Sequence, residues 1–284
     1  MKKIFLLAAL TIGLNGLAQN LTFQNGQKLE VVTQVQKTSA LELMGQSMET
    51  KVNGTLTEIF DVKTVANNAA TIEHKVKRLV FTAEGMQGAQ SFDSEKEGDM
   101  KGEIGKMLEK AIKNKYTFTM DGSGKVTSVK LDDDNPKGNE EADAMIAVMS
   151  MQTGLNLGTP KAGDPTEFKI LPGTSLKQGD SWTDTSSSAM GKIKTVYKVK
   201  TMTDSEINLD FTEEETIDGT QEMMGQQAKM NGSSKSTGTA VLDRKTGILK
   251  TKTVTTDADI TLEAQGMSIP IKDKTTRTVT VKPA

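Results

Sequence analysis

Residues 52–80 read VNGTLTEIFDVKTVANNAATIEHKVKRLV, and the way they alternate sets the class of the molecule. Val52, Leu56, Phe60 and Val62 fall on one parity, with Thr55, Thr57 and Asp61 between them. Ile72, His74, Val76 and Val80 then repeat the pattern opposite Glu73, Lys75 and Lys77. A period of two puts successive side chains on opposite faces of a strand. The turn residues of Ala66-Asn67-Asn68-Ala69 between the runs predict an antiparallel hairpin.

The same alternation recurs outward from this stretch. Leu29, Val31, Thr33 and Val35 precede it. Tyr116, Phe118 and Met120 lead into the turn Asp121-Gly122-Ser123-Gly124, and Val126 and Val129 resume beyond it. In the second half, extended runs carry Ile193, Tyr197 and Val199, then Ile207, Leu209 and Phe211, then Val241, Ile248 to Val254, Ile260 to Ala264, Met267 to Ile271, and Val279 with Val281. Threonine, about one residue in eight, suits the solvent face of such strands.

Two stretches change period. Ile104, Met107, Leu108, Ala111 and Ile112 make one apolar stripe of an amphipathic helix near 102–114. Asn139 can cap a second helix with apolar positions Ala142, Met145, Ile146 and Met149, stopped at Gly154. Residues 158–173 hold Pro160, Pro165 and Pro172, which remove backbone donors and mark a boundary or an irregular crossing. The expected fold is mainly β (α+β): two similar curved antiparallel sheets or half-barrels with one or two amphipathic helices. Residues 19–135 form the first β-rich unit, 136–173 the helix and Pro/Gly-rich connection, and 174–284 the second β-rich unit.

Two landmarks occur once in each half and in the same order. Phe23-Gln24-Asn25-Gly26 matches Leu176-Lys177-Gln178-Gly179, and the Asp121 to Gly124 turn matches Asp243 to Gly247. Gly26 to Gly124 spans 98 residues and Gly179 to Gly247 only 68. The helix near Met107 and its flanks would supply the difference. Asp and Gly also recur wherever hairpins turn, so duplication and coincidence both stand at this point.

Residues 1–18 read as a secretory signal: Lys2-Lys3, an apolar run from Ile4 to Leu14, and small residues at Gly16 and Ala18. The expected location is therefore periplasmic or secreted, and no later stretch is long and apolar enough to serve as a transmembrane segment. With no Cys in 284 residues, stability must come from burial and hydrogen-bond ladders. Thirty-five Lys+Arg against 37 Asp+Glu, with 4% aromatics, lacks the basic excess and stacking surface of a nucleic-acid binder.

Reactive chemistry is sparse. His74 is the one histidine, and its parity beside Ile72 and Val76 reads as a satisfied or partly exposed strand histidine rather than a catalytic one. Zinc normally draws on Cys and His, which are absent and single here. Asp132-Asp133-Asp134 and Asp257-Ala258-Asp259 gather hard oxygens but match no calcium loop, and read as solvated. Glu213-Glu214-Glu215 could offer carboxylates to a glycosidase, yet consecutive strand residues diverge, and a charged edge strand is the simpler reading. No catalytic, cofactor or metal residue is assigned. Methionine recurs beside Gly and Gln, as in Met44-Gly45-Gln46, Gly85-Met86-Gln87-Gly88, Met223-Met224-Gly225 and Gln265-Gly266-Met267. Thioethers suit packing, an apolar-ligand surface or, for Met149-Ser150-Met151, Cu(I).

The signal end Leu17-Ala18-Gln19, Gly26, the Tyr116 to Val126 hairpin, Gly179-Asp180-Ser181-Trp182 and the Asp243 to Ile248 hairpin together resemble an uncharacterised family of exported proteins of the Bacteroidota. That family is similar to the periplasmic lipoprotein-carrier and lipoprotein-receptor group, whose long antiparallel sheets curl round a helix. The resemblance implies a non-enzymatic protein and carries over no catalytic residue. The expected function is to bind a lipid or other apolar small molecule in a concave sheet. The alternatives are a structural or partner-binding envelope protein with a filled core, and a carboxylate-dependent hydrolase.

Overall fold

The computed structural model describes residues 21–43, 46–85, 88–133, 140–188, 191–223, 226–264 and 267–284. The expected signal, Asn139 and most of the Met-Gly-Gln segments lie outside these residues. The first half contains β1 (Lys28–Leu43), β2 (Gln46–Ala66), β3 (Ala69–Gly85), β4 (Gly88–Asp93), α1 (Glu97–Lys101), α2 (Glu103–Lys113), β5 (Lys115–Asp121) and β6 (Val126–Leu131). After α3 (Glu140–Thr153) come β7 (Ser181–Ser188), β8 (Gly191–Met202), β9 (Glu206–Met223), β10 (Gln226–Asp243), β11 (Leu249–Ala264) and β12 (Met267–Pro283). All pairings between these strands are antiparallel.

The β2–β3 hairpin forms where the alternation placed it. Ala66 faces Ala69, and Asn67 and Asn68 both have positive φ, 51° and 60°, as a two-residue type I′ turn requires. Two register shifts break the simple alternation, one at Lys63 between Val62 and Thr64 and the other further from the turn. Thr57 pairs with Arg78 and Glu58 with Val76, so Lys77 is bulged out of the ladder. The extra residue reverses parity, placing Leu79 in the core and sending Val80 to the outer face.

The two expected sheets are halves of a single open one. Its order is β6-β5-β3-β2-β1-β12-β11-β10-β9-β8-β7, with β4 paired to β3 off this path. The halves are joined by β12, which lies between β1 and β11. Read from β7 to β11, the second half repeats the first read as β1, β2, β3, β5, β6. The two landmarks fold alike. Gly26 N–H donates to Val62 O at 2.8 Å and Gly179 N–H to Val199 O at 3.0 Å. In return Val62 N–H donates to Gln27 O and Val199 N–H to Asp180 O, both at 2.8 Å. At the hairpin turns, Asp121 Oδ1 accepts from Ser123 and Lys125 N–H, and Asp243 Oδ1 from Lys245 and Thr246 N–H. Shared strand order and shared turn bonding make this a duplicated unit. The first copy carries β4, α1 and α2 between β3 and β5, which accounts for its longer spacing.

The sheet curls round α3 and the Pro-rich crossing. α3 touches both β2 and β9, five inter-strand steps apart, or about 24 Å if the sheet were flat. α2 is amphipathic as expected, burying Leu108 and Ala111. α3 is instead apolar nearly all round from Ala142 to Met151, with Ile146 and Met149 buried, its other apolar residues half-buried and Asp143 exposed. Gly154, at φ 71°, ends it against Val35. The crossing buries Phe168 and Ile170 in a core shared by both halves, with Phe23, Val31 and Phe118 on one side and Tyr197, Leu209 and Leu242 on the other. A second cluster packs Leu108, Ile146 and Leu155 on Leu56 and Phe81.

Candidate functional site

Side chains facing into the curl fall into three bands, because register carries each row across many strands. The floor is the shared apolar core. Above it runs a polar waist of two rows: Lys37, Thr275, Thr256, Ser236, Glu213, Thr195 and Asp184, and then Ser39, Asp273, Ala258, Ser234 and Glu215. The next row turns apolar again, with Leu41, Ile271, Ile260, Gly232 and Ile217 in register. This is the mouth. Leu41, Ile271 and Ile260 are half-buried, as are Leu262 and Ile269 in the row above.

The waist is held by charge pairs at its lower edge. Arg277 Nη2 donates to Glu167 Oε1 at 2.5 Å, bringing the Pro-rich crossing onto β12. Burial pushes the Glu167 carboxyl up, but Arg277, with Lys252 behind it, outweighs that and holds it down to about 2. Lys37 Nζ lies 2.9 Å from Asp273 Oδ2 and donates to the Met151 carbonyl of α3 at 2.8 Å. Lys169 Nζ donates to Asp184 Oδ2 at 2.6 Å.

His74 is buried in the wall. Its Nε2 lies 2.8 Å from Glu58 Oε1, and its ring stacks on Tyr116 at 4.4 Å. Burial, with Glu58 nearby, raises the Tyr116 hydroxyl pKa. Among the described residues, the buried polar atoms His74 Nδ1, Asp273 Oδ1 and Arg277 Nε have no hydrogen-bond partner.

The structure corrects the reading of Glu213-Glu214-Glu215. β9 is not an edge strand, since β8 and β10 flank it. Glu214 points outward, in register with Lys194 and Lys235. Glu213 and Glu215 both point into the waist, where Thr195 Oγ1 donates to Glu213 at 2.9 Å and Ser234 Oγ to Glu215 at 3.0 Å. Their parity with Ile207, Leu209 and Phe211 was the sequence signal that placed them inward. Asp257 and Asp259 sit on the outer face opposite Lys274 and Lys272. Among the described residues no group of three or more His, Asp or Glu could hold a metal ion. Met149 belongs to the packed face of α3, while Met267 is 45% exposed at the rim. Among the described residues no helix is long and apolar enough to cross a membrane.

The outer face carries shallow hollows. One, of about 420 Å³, lies over Gly238 among Thr237, Thr239 and Thr253. Another, of about 450 Å³, lies over Gly54 among Gln34, Gln36 and Asn53. Both are bounded by residues that close the inner core from behind.

Comparison with solved structures finds the same curved sheet in lipovitellin, in a structure describing its lipid-protein interactions. The TM-score is 0.51 at 9% identity over 93% of this chain, which spans 26% of that protein's length. At that identity the likeness concerns the fold alone. An outer-membrane channel of Pseudomonas putida F1 overlaps 93% of this chain and 98% of its own at 8% identity, with a TM-score of 0.26. The translocator domain of the autotransporter NalP from Neisseria meningitidis overlaps 92% and 90% at 6% identity and 0.22. Scores this low carry no argument. No curated protein matches the sequence. The match of residues 67–249, running from the β2–β3 turn to the start of β11, shows that the chain belongs to the family described as "Family of unknown function (DUF6263)".

Proposed function

We propose that the protein is a non-enzymatic exported protein, periplasmic or secreted, that holds a lipid or other apolar molecule in the mouth of its curved sheet. The observation that carries this reading is the half-buried apolar row Leu41, Ile271 and Ile260. It sits above a floor that is already filled. A fully packed interior would bury such a row, and an unused surface strand would alternate to polar at these positions. Burial of an alkyl chain there contributes about 0.8 kcal/mol per methylene, so a short chain suffices for binding. The non-enzymatic part rests on the site chemistry: His74 is walled in by Tyr116 and Phe60, and Glu213 and Glu215 project from one strand with hydroxyl partners. The resemblance to exported Bacteroidota proteins near the lipoprotein carriers supports the same reading.

Lipid extraction of protein purified from its native host, followed by mass spectrometry, tests it. A co-purifying lipid in stoichiometric amount is expected. The filled floor favours a second reading, a structural or partner-binding envelope protein, and repeated absence of any bound lipid would select it.

A further inference from the structure

The carboxylates facing into the curl are not treated alike. Asp273 has Lys37 at 2.9 Å, Glu167 has Arg277 at 2.5 Å, Asp184 has Lys169 at 2.6 Å, and Glu58 has His74 at 2.8 Å. Glu213 and Glu215 have only the hydroxyls of Thr195 and Ser234 among their described partners. On the same strand the outward Glu214 faces two lysines across the ladder, while on the inner side Lys252 Nζ lies over the Phe211 ring at 5.4 Å and, among the described residues, pairs with neither Glu213 nor Glu215. Both inward carboxylates are half-buried, hence reachable, and in the row above Glu215 the buried Ile217 leads across Gly232 to the half-buried Ile260 and Ile271 of the mouth. In the row of Glu215, the buried Asp273 Oδ1 accepts no hydrogen bond from the described residues. An apolar mouth thus opens directly onto a waist with surplus acceptors and surplus negative charge.

We infer that the ligand is a single-chain amphiphile with a protonated amine head, its chain lying along Ile260 and Ile271 and its ammonium on Glu213 and Glu215. This rests on the apolar-ligand reading and adds the head group to it. An ammonium offers three donors and one positive charge, which satisfies both carboxylates without displacing Thr195 or Ser234. A carboxylate or phosphate head would meet like charge in a half-buried site.

Decylamine, decanoate and decanol, each kept below the concentration at which it self-associates, test this by calorimetric titration of the full chain. The single tryptophan, Trp182, gives an optical readout. It stacks on Tyr197 at 5.1 Å, on the strand next to Glu213. Decylamine is expected to bind about tenfold or more tightly than decanoate, as charge-assisted hydrogen bonds imply. The double variant Glu213→Gln, Glu215→Gln should bring the two within about threefold. Glu215→Lys should turn the preference toward decanoate, a gain that misfolding does not mimic. Equal binding of all three probes, or decylamine binding unchanged in the double glutamine variant, overturns the amine head and leaves the apolar site standing. Failure of every probe to bind overturns both.

Discussion

Arg277 and Glu167 show at single-residue scale how the curl is locked. β12 supplies the cation and the Pro-rich crossing the anion, so the pair fastens an irregular segment to the central strand of the sheet. Removing one partner of a fully buried pair costs about 3–5 kcal/mol, and this half-buried pair, with side chains 21% and 31% exposed, should lose less, whereas replacing both by apolar groups is often neutral. Glu167→Met should therefore lower the urea midpoint, and Glu167→Met with Arg277→Met should recover most of the loss. The pair also fixes a pH dependence. Glu167 is held down to about 2 from an ordinary 4.5, and Asp93, through Arg78 and the Glu95 N–H, down to about 2 from 3.8. Depressed carboxyls stabilise the fold above their unfolded pKa, and that stability disappears as pH falls through the folded value. Stability should decline between about pH 4.5 and 2, each group contributing at most about 1.4 kcal/mol per pH unit. Urea titrations across this range should show a shallower decline in the double Met variant; an unchanged slope would contradict the assignment to Glu167.

Among elements, the outer face of the second half explains how long strands find one register. Lys194, Glu214, Lys235, Asp257 and Lys274 lie in one row from β8 to β12, alternating in sign at every step. A slip of two residues on β10 would replace Lys235 by Ser233 or Thr237 and discard two attractive pairs. Lys235→Glu sets like charges on both sides and should cost about 1–2 kcal/mol. The loss should shrink in 1 M salt, where screening acts within about 3 Å; an equal loss at low and high salt would mean the ladder acts through something other than charge. Much at this scale was legible in the sequence. Asn67-Asn68 encodes its turn locally, and the stripe from Ile104 to Ile112 encodes α2. The bulge at Lys77 was not legible, since an extra residue leaves no mark until the partner strand fixes which residue is extra. α3 departed from an amphipathic reading because its apolar residues run nearly all round the helix: Ile146 and Met149 are buried, while Ala142, Ala144, Met145, Ala147 and Val148 stay half-buried. Glu213 and Glu215 were legible in parity, but their lack of a cation appears only once the strands around them are placed.

For the whole molecule, the duplicated unit was visible as two echoes, but the join was not. β1 and β12 pair residues such as Leu29 and Pro283, so the contact that makes one sheet of two halves links opposite ends of the described chain. No local pattern carries such a pairing. Its consequence is energetic as well as geometric. The apolar floor draws Phe118 and Val31 from one half and Leu209 and Leu242 from the other, with Phe168 of the crossing between them. Neither half can open without exposing the core of its neighbour, so the chain should unfold as one cooperative unit despite its repeated architecture. Scanning calorimetry should give a single transition whose van't Hoff and calorimetric enthalpies agree. Trp182, in the second half, should report the same midpoint as far-ultraviolet dichroism, which averages over both halves. Two resolved transitions would show that β12 couples the halves weakly, and would return the molecule to a pair of independent domains.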